Sequence, residues 1–120
     1  MTLRECYAAL GGNYDDVVGR LRSERMVRKF VLKFLQDGSY NLLCRSMAEE
    51  NYSEAFRAAH TIKGVCQNLS LTKLQDSSSR LCESLRNGYT PEAEELTKKV
   101  EEDYQQAASA ILAFQEANPE

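Results

Sequence analysis

Residues 53–69 read SEAFRAAHTIKGVCQNL, and the order of apolar residues in this stretch decides the fold class. On an α-helix, at about 100° per residue, its small apolar side chains fall within roughly 60° of Ile62. These side chains are Ala55, Ala58, Ala59, Ile62, Val65, Cys66 and Leu69. The pattern predicts an amphipathic helix that packs against other helices along this stripe.

The rest of the chain shows the same helical spacing. Apolar residues recur three and four positions apart, and no stretch alternates as a half-buried strand does. Start and stop signals predict helices over about 2–10, 15–21, 23–36, 39–51, 53–69, 72–87 and 91–117. We therefore expect an all-α fold, an antiparallel up-and-down four-helix bundle at 39–117, with short N-terminal helices within 2–37 covering one end or one side.

Two helix starts carry specific predictions. Thr72 and Gln75 have the spacing of a capping box, so a helix is expected to begin there. Thr90 followed by Pro91 is typical of an N-cap and a first helical position. The charged side chains of the helix that follows are expected to face solvent.

The composition excludes several classes of function. A chain of 120 residues is about one domain, so we expect residues 1–120 to form a single domain. The formal net charge of -3 offers no large positive field to nucleic acid. Apolar runs are too short for a membrane span or a signal peptide. We expect a cytoplasmic protein with no nucleic-acid or membrane partner, and a monomer, because nothing requires self-association.

The cysteines do not form a metal-binding or disulfide pattern. They are scattered singly as Cys6, Cys44, Cys66 and Cys82, and the chain has one histidine. No metal site is therefore predicted. In the cytoplasm we expect four reduced thiols, most of them buried as small apolar side chains.

That histidine, His60, lies about 160° from Ile62, on the outer face of the 53–69 helix. Its neighbours there are Phe56, Arg57, Lys63, Gly64 and Gln67. Gly64 costs about 0.5–1 kcal/mol relative to Ala in a helix interior, which indicates that something there needs room. Its missing side chain would let a partner's active site approach the imidazole, and Lys63 supplies an ammonium suited to a phosphoryl oxygen. Phe56 is expected to pack at the bundle edge or to meet the partner.

The chemistry open to His60 is limited by its surroundings. A histidine can be an ordinary surface residue, a general base, a metal ligand or a nucleophile. Other metal ligands are missing nearby, and a convex helix face offers no water-excluding pocket for hydrolysis. Acceptance of a phosphoryl group needs only a neutral imidazole nitrogen and a nearby cation. Gly11-Gly12 lacks the spacing and the lysine of a phosphate-binding loop, so no nucleotide or other cofactor is expected.

Residues 59–64 read AHTIKG and are followed by Leu69, which resembles the His-x-hydrophobic-Lys-Gly signature of histidine-containing phosphotransfer (HPt) domains. The resemblance covers most of the chain and implies a four-helix bundle that passes phosphoryl groups between receiver domains in multistep phosphorelays. It implies that His60 accepts the group from a receiver's aspartyl phosphate, that Lys63 helps to hold it, and that Gly64 admits the receiver. Val65 and Ser70 depart from the commonest pattern.

Further expectations concern partners and minor site residues. A carrier of this kind is not an enzyme; its partners are response-regulator receiver domains and a hybrid or sensor histidine kinase, with Mg²⁺ on the receiver. Gln67 is expected to donate a hydrogen bond to the phosphoryl oxygens, and Phe56 and Arg57 to contact the docking partner. Two alternatives stay open: a helical interaction module that never carries phosphate, and a trans-acting input domain of a chemotaxis-type histidine kinase.

Overall fold

A computed structural model describes residues 1–119, which contain seven α-helices and no β-strand. They are α1 (Leu3–Leu10), α2 (Tyr14–Leu21), α3 (Glu24–Phe34), α4 (Ser39–Ala48), α5 (Tyr52–Leu69), α6 (Thr72–Leu85) and α7 (Ala93–Ala117). The all-α prediction is confirmed for this part of the chain. None of these helices is both long enough and apolar enough to span a membrane.

The helix that carries His60, α5, packs between α4 and α6, and α6 packs against α7. Lys73 near the start of α6 donates to Gln106 of α7 at 2.7 Å, whereas Ser84 near the end of α6 bonds Thr90 just before α7. These two helices therefore run antiparallel. On the other side of α5, the ring of Tyr40 in α4 stacks on Tyr104 of α7 with 3.8 Å between centroids.

All seven helices contribute to one apolar core. From α5 it receives the predicted stripe: Ala55, Ala58, Ala59, Ile62, Cys66 and Leu69 are buried, and Val65 is half-buried. Burial of a Leu, Ile or Val side chain stabilises a fold by about 1.5–3 kcal/mol, so this stripe holds the orientation of α5. The outer face of α5 is thereby directed to solvent.

The N-terminal helices pack against the ends of α5 and α7. In α1, the Cys6 thiol donates to the Ala110 carbonyl at 3.6 Å, and the Gln106 side chain donates to the Ala9 carbonyl at 2.7 Å. The turn after α1 fits closely, because a Cβ on Gly12 would lie 2.8 Å from the Ser70 carbonyl oxygen. Residues 1–21 are thus built into the molecule at the C-terminal end of α5.

The side-chain caps predicted for α6 and α7 are both wrong. Helix α6 does begin at Thr72, but no side chain caps it, and the Thr72 hydroxyl donates instead to the Ser70 carbonyl at 3.4 Å. Helix α7 begins at Ala93 rather than Pro91, because residues 90–92 form a turn in which the Ala93 N–H donates to the Thr90 carbonyl at 3.1 Å.

The expectation of a solvated charged face on α7 is wrong at Asp103. Its side chain is 2% exposed. Lys99 binds one carboxylate oxygen at 2.8 Å, and Lys73 of α6 lies 3.8 Å from the same oxygen. A buried charge requires such partners, which the spacing of charges along one helix does not reveal.

All four cysteines are free thiols. Cys6, Cys66 and Cys82 are buried, and Cys44 on α4 is half-buried. Burial raises the pKa of the Cys6 thiol to about 11 and that of Cys66 to about 12. The expectation that most cysteines are buried is confirmed.

Candidate functional site

Helix α5 is capped at its N-terminus and runs unbroken through Gly64. The Asn51 side chain accepts a hydrogen bond from the Glu54 N–H at 3.3 Å, which satisfies one of the free N–H groups of the first turn. The helix continues for 18 residues to Leu69. His60 is therefore in the middle of a long helix and not at a mobile end.

The C-terminal end of α5 is fastened by side chains of α1 and α2. Arg20 donates to the carbonyls of Gln67 and Asn68 at 3.2 Å each. The Tyr7 hydroxyl donates to the Leu69 carbonyl at 2.7 Å. These bonds satisfy carbonyl groups that a helix end leaves without intrahelical partners. Ser70 follows in the left-handed conformation with φ 54°.

Asp16 completes this network. Its carboxylate accepts from the Ser70 hydroxyl at 2.6 Å and from Arg20 at 2.9 Å. The hydrogen bond from Ser70, followed by that from Arg20, lowers the pKa of the Asp16 carboxyl below its ordinary value. Asp16 therefore stays ionised and holds Arg20 against the end of α5.

His60 is exposed on the outer face of α5, directed away from the core. Its ring centroid lies 6.2 Å from that of Phe56, one turn earlier. An open depression of about 520 Å³ surrounds it, lined by Phe56, Arg57, His60, Thr61 and Arg86. A phosphoryl-bearing side chain of a partner can reach the imidazole from solvent.

Arg86 at the end of α6 was not among the residues predicted from the sequence. Its guanidinium carbon lies 5.5 Å from the Phe56 ring centroid, and two of its nitrogens donate to the Glu83 carboxylate at 3.1 and 3.0 Å. The hydrogen bonds to Glu83 raise the pKa of Arg86 and lower that of Glu83. Both groups are therefore charged, and the Arg86 guanidinium borders the depression at His60.

Phe56 is half-buried and packs against the core, while its ring also borders the depression. Both roles considered for it from the sequence are thus compatible with its position. Arg57, which also lines the depression, forms an exposed ion pair with Glu54 at 3.2 Å. A pair of this kind is worth little and leaves Arg57 available to a partner.

Lys63 and Gln67 lie outside the depression. Lys63 is half-buried on the side of α5 that faces α6, where its charge acts to lower the pKa of Glu83 and of Cys82. Burial outweighs this effect on Cys82 and raises its pKa. Gln67 is exposed two turns after His60, about 10 Å further along the helix axis.

Gly64 leaves the surface open where the sequence suggested a need for room. It is exposed, and a Cβ built on it would meet nothing within 4 Å. Packing inside the molecule therefore does not require glycine here.

The family model of the Hpt domain matches residues 29–110, from within α3 to α7. The chain belongs to the Hpt domain family. Hpt domains perform histidine phosphotransfer in phosphorelays, act as phosphocarriers and not as kinases, and interact with receiver domains and histidine kinases. No curated protein and no solved structure matches the chain significantly.

The part of the chain that precedes the matched residues includes α1 and α2. Arg20 and Tyr7, which fasten the end of α5, lie in that part.

Within residues 1–119, His, Cys, Asp and Glu side chains do not gather in groups of three or more that could hold a metal ion.

Proposed function

We propose that this Hpt domain accepts a phosphoryl group on His60 from the aspartyl phosphate of one receiver domain and passes it to another. Membership of the family supports histidine phosphotransfer. The observation that carries the assignment to His60 is its exposure in mid-helix, beside the open surface at Gly64 and the depression that Arg86 borders. It is also the single histidine of the chain.

In the proposed reaction, a neutral imidazole nitrogen of His60 attacks the phosphorus of the receiver's aspartyl phosphate. The N–P bond forms as the P–O bond to the aspartate breaks, and the bonding electrons leave with the carboxylate. Transfer to a second receiver is the reverse process. Mg²⁺ belongs to the receiver, and this chain contributes position and positive charge.

The cations near His60 have distinct proposed roles. Arg86 lies at the depression and contacts phosphoryl oxygens directly, while Lys63, from the side of α6, places a flexible ammonium near them. Gln67 donates a hydrogen bond only if the bound receiver brings acceptor atoms along α5, because it lies two turns from His60. Arg86 and Lys63 thus both approach from the side of α6.

We further propose that the receiver docks over Gly64, Phe56 and Arg57. A glycine that no internal contact requires, beside a half-buried aromatic ring, fits a surface that a partner covers. We propose that the domain spans the whole chain and acts as a cytoplasmic monomer. For α4 to α7 we propose an antiparallel up-and-down four-helix bundle, which the antiparallel α6 and α7 and the Tyr40–Tyr104 stack support.

The decisive experiment compares wild type with His60→Gln in phosphotransfer from a panel of ³²P-labelled receiver domains. We expect acid-labile labelling of the wild type and none of the variant, with unchanged circular dichroism. Undiminished labelling of His60→Gln would refute the assignment. Labelling of the wild type by a kinase's ATP-binding domain alone, and by no receiver, would favour the kinase-input alternative. Receiver binding without labelling would favour a plain interaction module.

A further inference from the structure

The positive charge of this chain is concentrated in one segment. Residues 20–33 read RLRSERMVRKFVLK, and six cations with one carboxylate give them a formal charge of +5. The whole chain is at -3, so the remaining residues together carry -8. The overall charge therefore conceals a strongly basic segment in a mostly acidic chain.

The cations on the solvent side of α3 are not neutralised within the molecule. Several exposed cations elsewhere pair with carboxylates, as in the Arg80–Asp76 pair at 3.1 Å and the Lys98–Glu95 pair at 3.5 Å. Among residues 1–119, by contrast, no carboxylate oxygen lies within 4.0 Å of Arg25, Lys29 or Lys33. Their charge is available to a binding partner.

These three cations form a stripe with apolar groups beside it. They are spaced four residues apart, so they lie on one face of α3 and span about 12 Å along its axis. An open groove of about 700 Å³ follows this face and is lined also by Met26 and Leu32. We call the five residues the basic α3 face; Met26 is 37% exposed.

The basic α3 face continues onto α5. Lys33 also lines a second depression, of about 340 Å³, together with Phe30 of α3 and with Val65 and Asn68 of α5. The Lys33 ammonium lies 5.6 Å from the Phe30 ring centroid. Val65 directly follows Gly64, so a partner that covers Gly64 can extend over Lys33 and along α3.

We propose that the basic α3 face binds an acidic amphipathic helix of the receiver domain that docks over His60. This inference rests on the proposed function and names a second, electrostatic part of the same interface. Carboxylates four residues apart on the partner helix match the spacing of Arg25, Lys29 and Lys33. Apolar side chains between them fit against Met26 and Leu32 in the groove.

The distribution of charge favours a compact protein partner over a membrane or a nucleic acid. An extended anion would reach beyond the stripe and meet the acidic remainder of the chain, which repels it. Nucleic acid also offers few apolar groups to Met26 and Leu32. A single acidic helix matches the length, the charge and the apolar content of the face.

The basic α3 face accelerates association with the receiver. It leaves the phosphoryl-transfer step itself unchanged, because it lies on α3 and does not line the depression at His60. Charges of opposite sign across an interface chiefly raise the association rate, and salt weakens that effect. The expected signature is a lower second-order rate constant for transfer after neutralisation, with the same rate at saturating receiver.

The test uses the full chain and the most active receiver of the panel. Single-turnover transfer is measured against receiver concentration at about 50 and about 300 mM KCl. The variant is Arg25→Gln/Lys29→Gln/Lys33→Gln, and the matched control, which neutralises three exposed cations elsewhere, is Arg45→Gln/Arg80→Gln/Lys98→Gln. Binding of unphosphorylated receivers to His60→Gln, with and without the stripe substitutions, is measured in parallel.

We expect the stripe variant to lose about tenfold in the second-order rate constant at low salt and most of its salt dependence, with the control near wild type. Equal losses in both triple variants, or no loss in either, would overturn the proposal. So would stripe-dependent binding to vesicles with 30% phosphatidylserine while transfer is unaffected. Stripe-dependent receiver binding without labelling of wild type would sustain this proposal and refute the phosphotransfer function, so the two can fail separately.

Discussion

The Arg20 guanidinium donates to the Ser70 hydroxyl at 2.7 Å, so a residue of α2 holds the residue that ends α5. Asp16 accepts from both of these groups. The position of α5, and with it that of His60, therefore depends partly on a segment outside the residues that match the family.

The Asp16 carboxylate predicts a pH dependence of stability. Its pKa is lowered in the folded chain, so its stabilising effect is complete above the ordinary value near 4 and is lost as the pH falls through the lowered value. Asp16→Asn should unfold at lower urea concentration than wild type at pH 7, and the difference should shrink and vanish as the pH falls through the lowered pKa of Asp16. Asp15→Asn, an exposed neighbour 3.7 Å from Arg4, is the control. Equal effects of both substitutions at every pH would contradict the role of Asp16.

A side chain added at Gly12 is expected to clash with its neighbours at the same end of α5. A Cβ there would lie 2.7 Å from side-chain atoms of Tyr7 and Leu10. Gly12→Ala should therefore destabilise the fold by about 1–3 kcal/mol, measured as the free energy of unfolding in urea. Gly19→Ala, at a site with no atom within 4 Å of the added carbon, is the matched control and should not destabilise. A variant at Gly12 as stable as wild type would show that the turn relaxes freely.

Substitution of Gly64 is expected to have opposite effects on stability and on phosphotransfer. Because the added carbon meets nothing, Gly64→Ala should stabilise the helix by about 0.5–1 kcal/mol. It should also slow transfer from a phosphorylated receiver about tenfold or more, since the new methyl group separates the two surfaces. Gly19→Ala should leave transfer unchanged. Normal transfer by Gly64→Ala would mean that no partner approaches this surface closely.

The position of Arg86 predicts that its charge speeds phosphoryl transfer to His60. Arg86→Gln should slow transfer to His60 about tenfold, which corresponds to the loss of one charge-assisted hydrogen bond of about 1.4 kcal/mol. Arg80→Gln, on the same helix and paired with Asp76, should transfer at the wild-type rate. Thermal melts of both variants separate this effect from loss of packing on Phe56. Equal transfer rates for the two variants would remove Arg86 from the site.

The helical spacing of the sequence was sufficient to predict which face of α5 is exposed and which is buried. Residues on one helix have fixed relative directions, so the exposure of His60 and the buried stripe beneath it follow from spacing alone. Arg86 could not be predicted in this way, because it reaches His60 only through the packing of α6 against α5. A cation near the end of a predicted neighbouring helix is too common a feature to have identified it.

The same distinction explains the errors elsewhere. Thr90 has the local features of an N-cap, but its hydroxyl bonds Ser84 of α6, and the helix starts later, at Ala93. Asp103 belongs to a charged stretch that resembles a solvated face, yet Lys73 from α6 comes close to it and allows burial. In both cases a contact made by α6 competes with a preference set along one helix.

The unequal burial of the four thiols makes this Hpt domain convenient to label. The thiolate is the species that reacts with alkylating reagents, and raised pKa values together with burial suppress it at Cys6 and Cys66. Cys82 is also buried, which leaves the half-buried Cys44 on α4 as the thiol that a maleimide fluorophore reaches first. A single dye on the helix next to α5 would then report receiver docking in the native sequence, without removal of any cysteine.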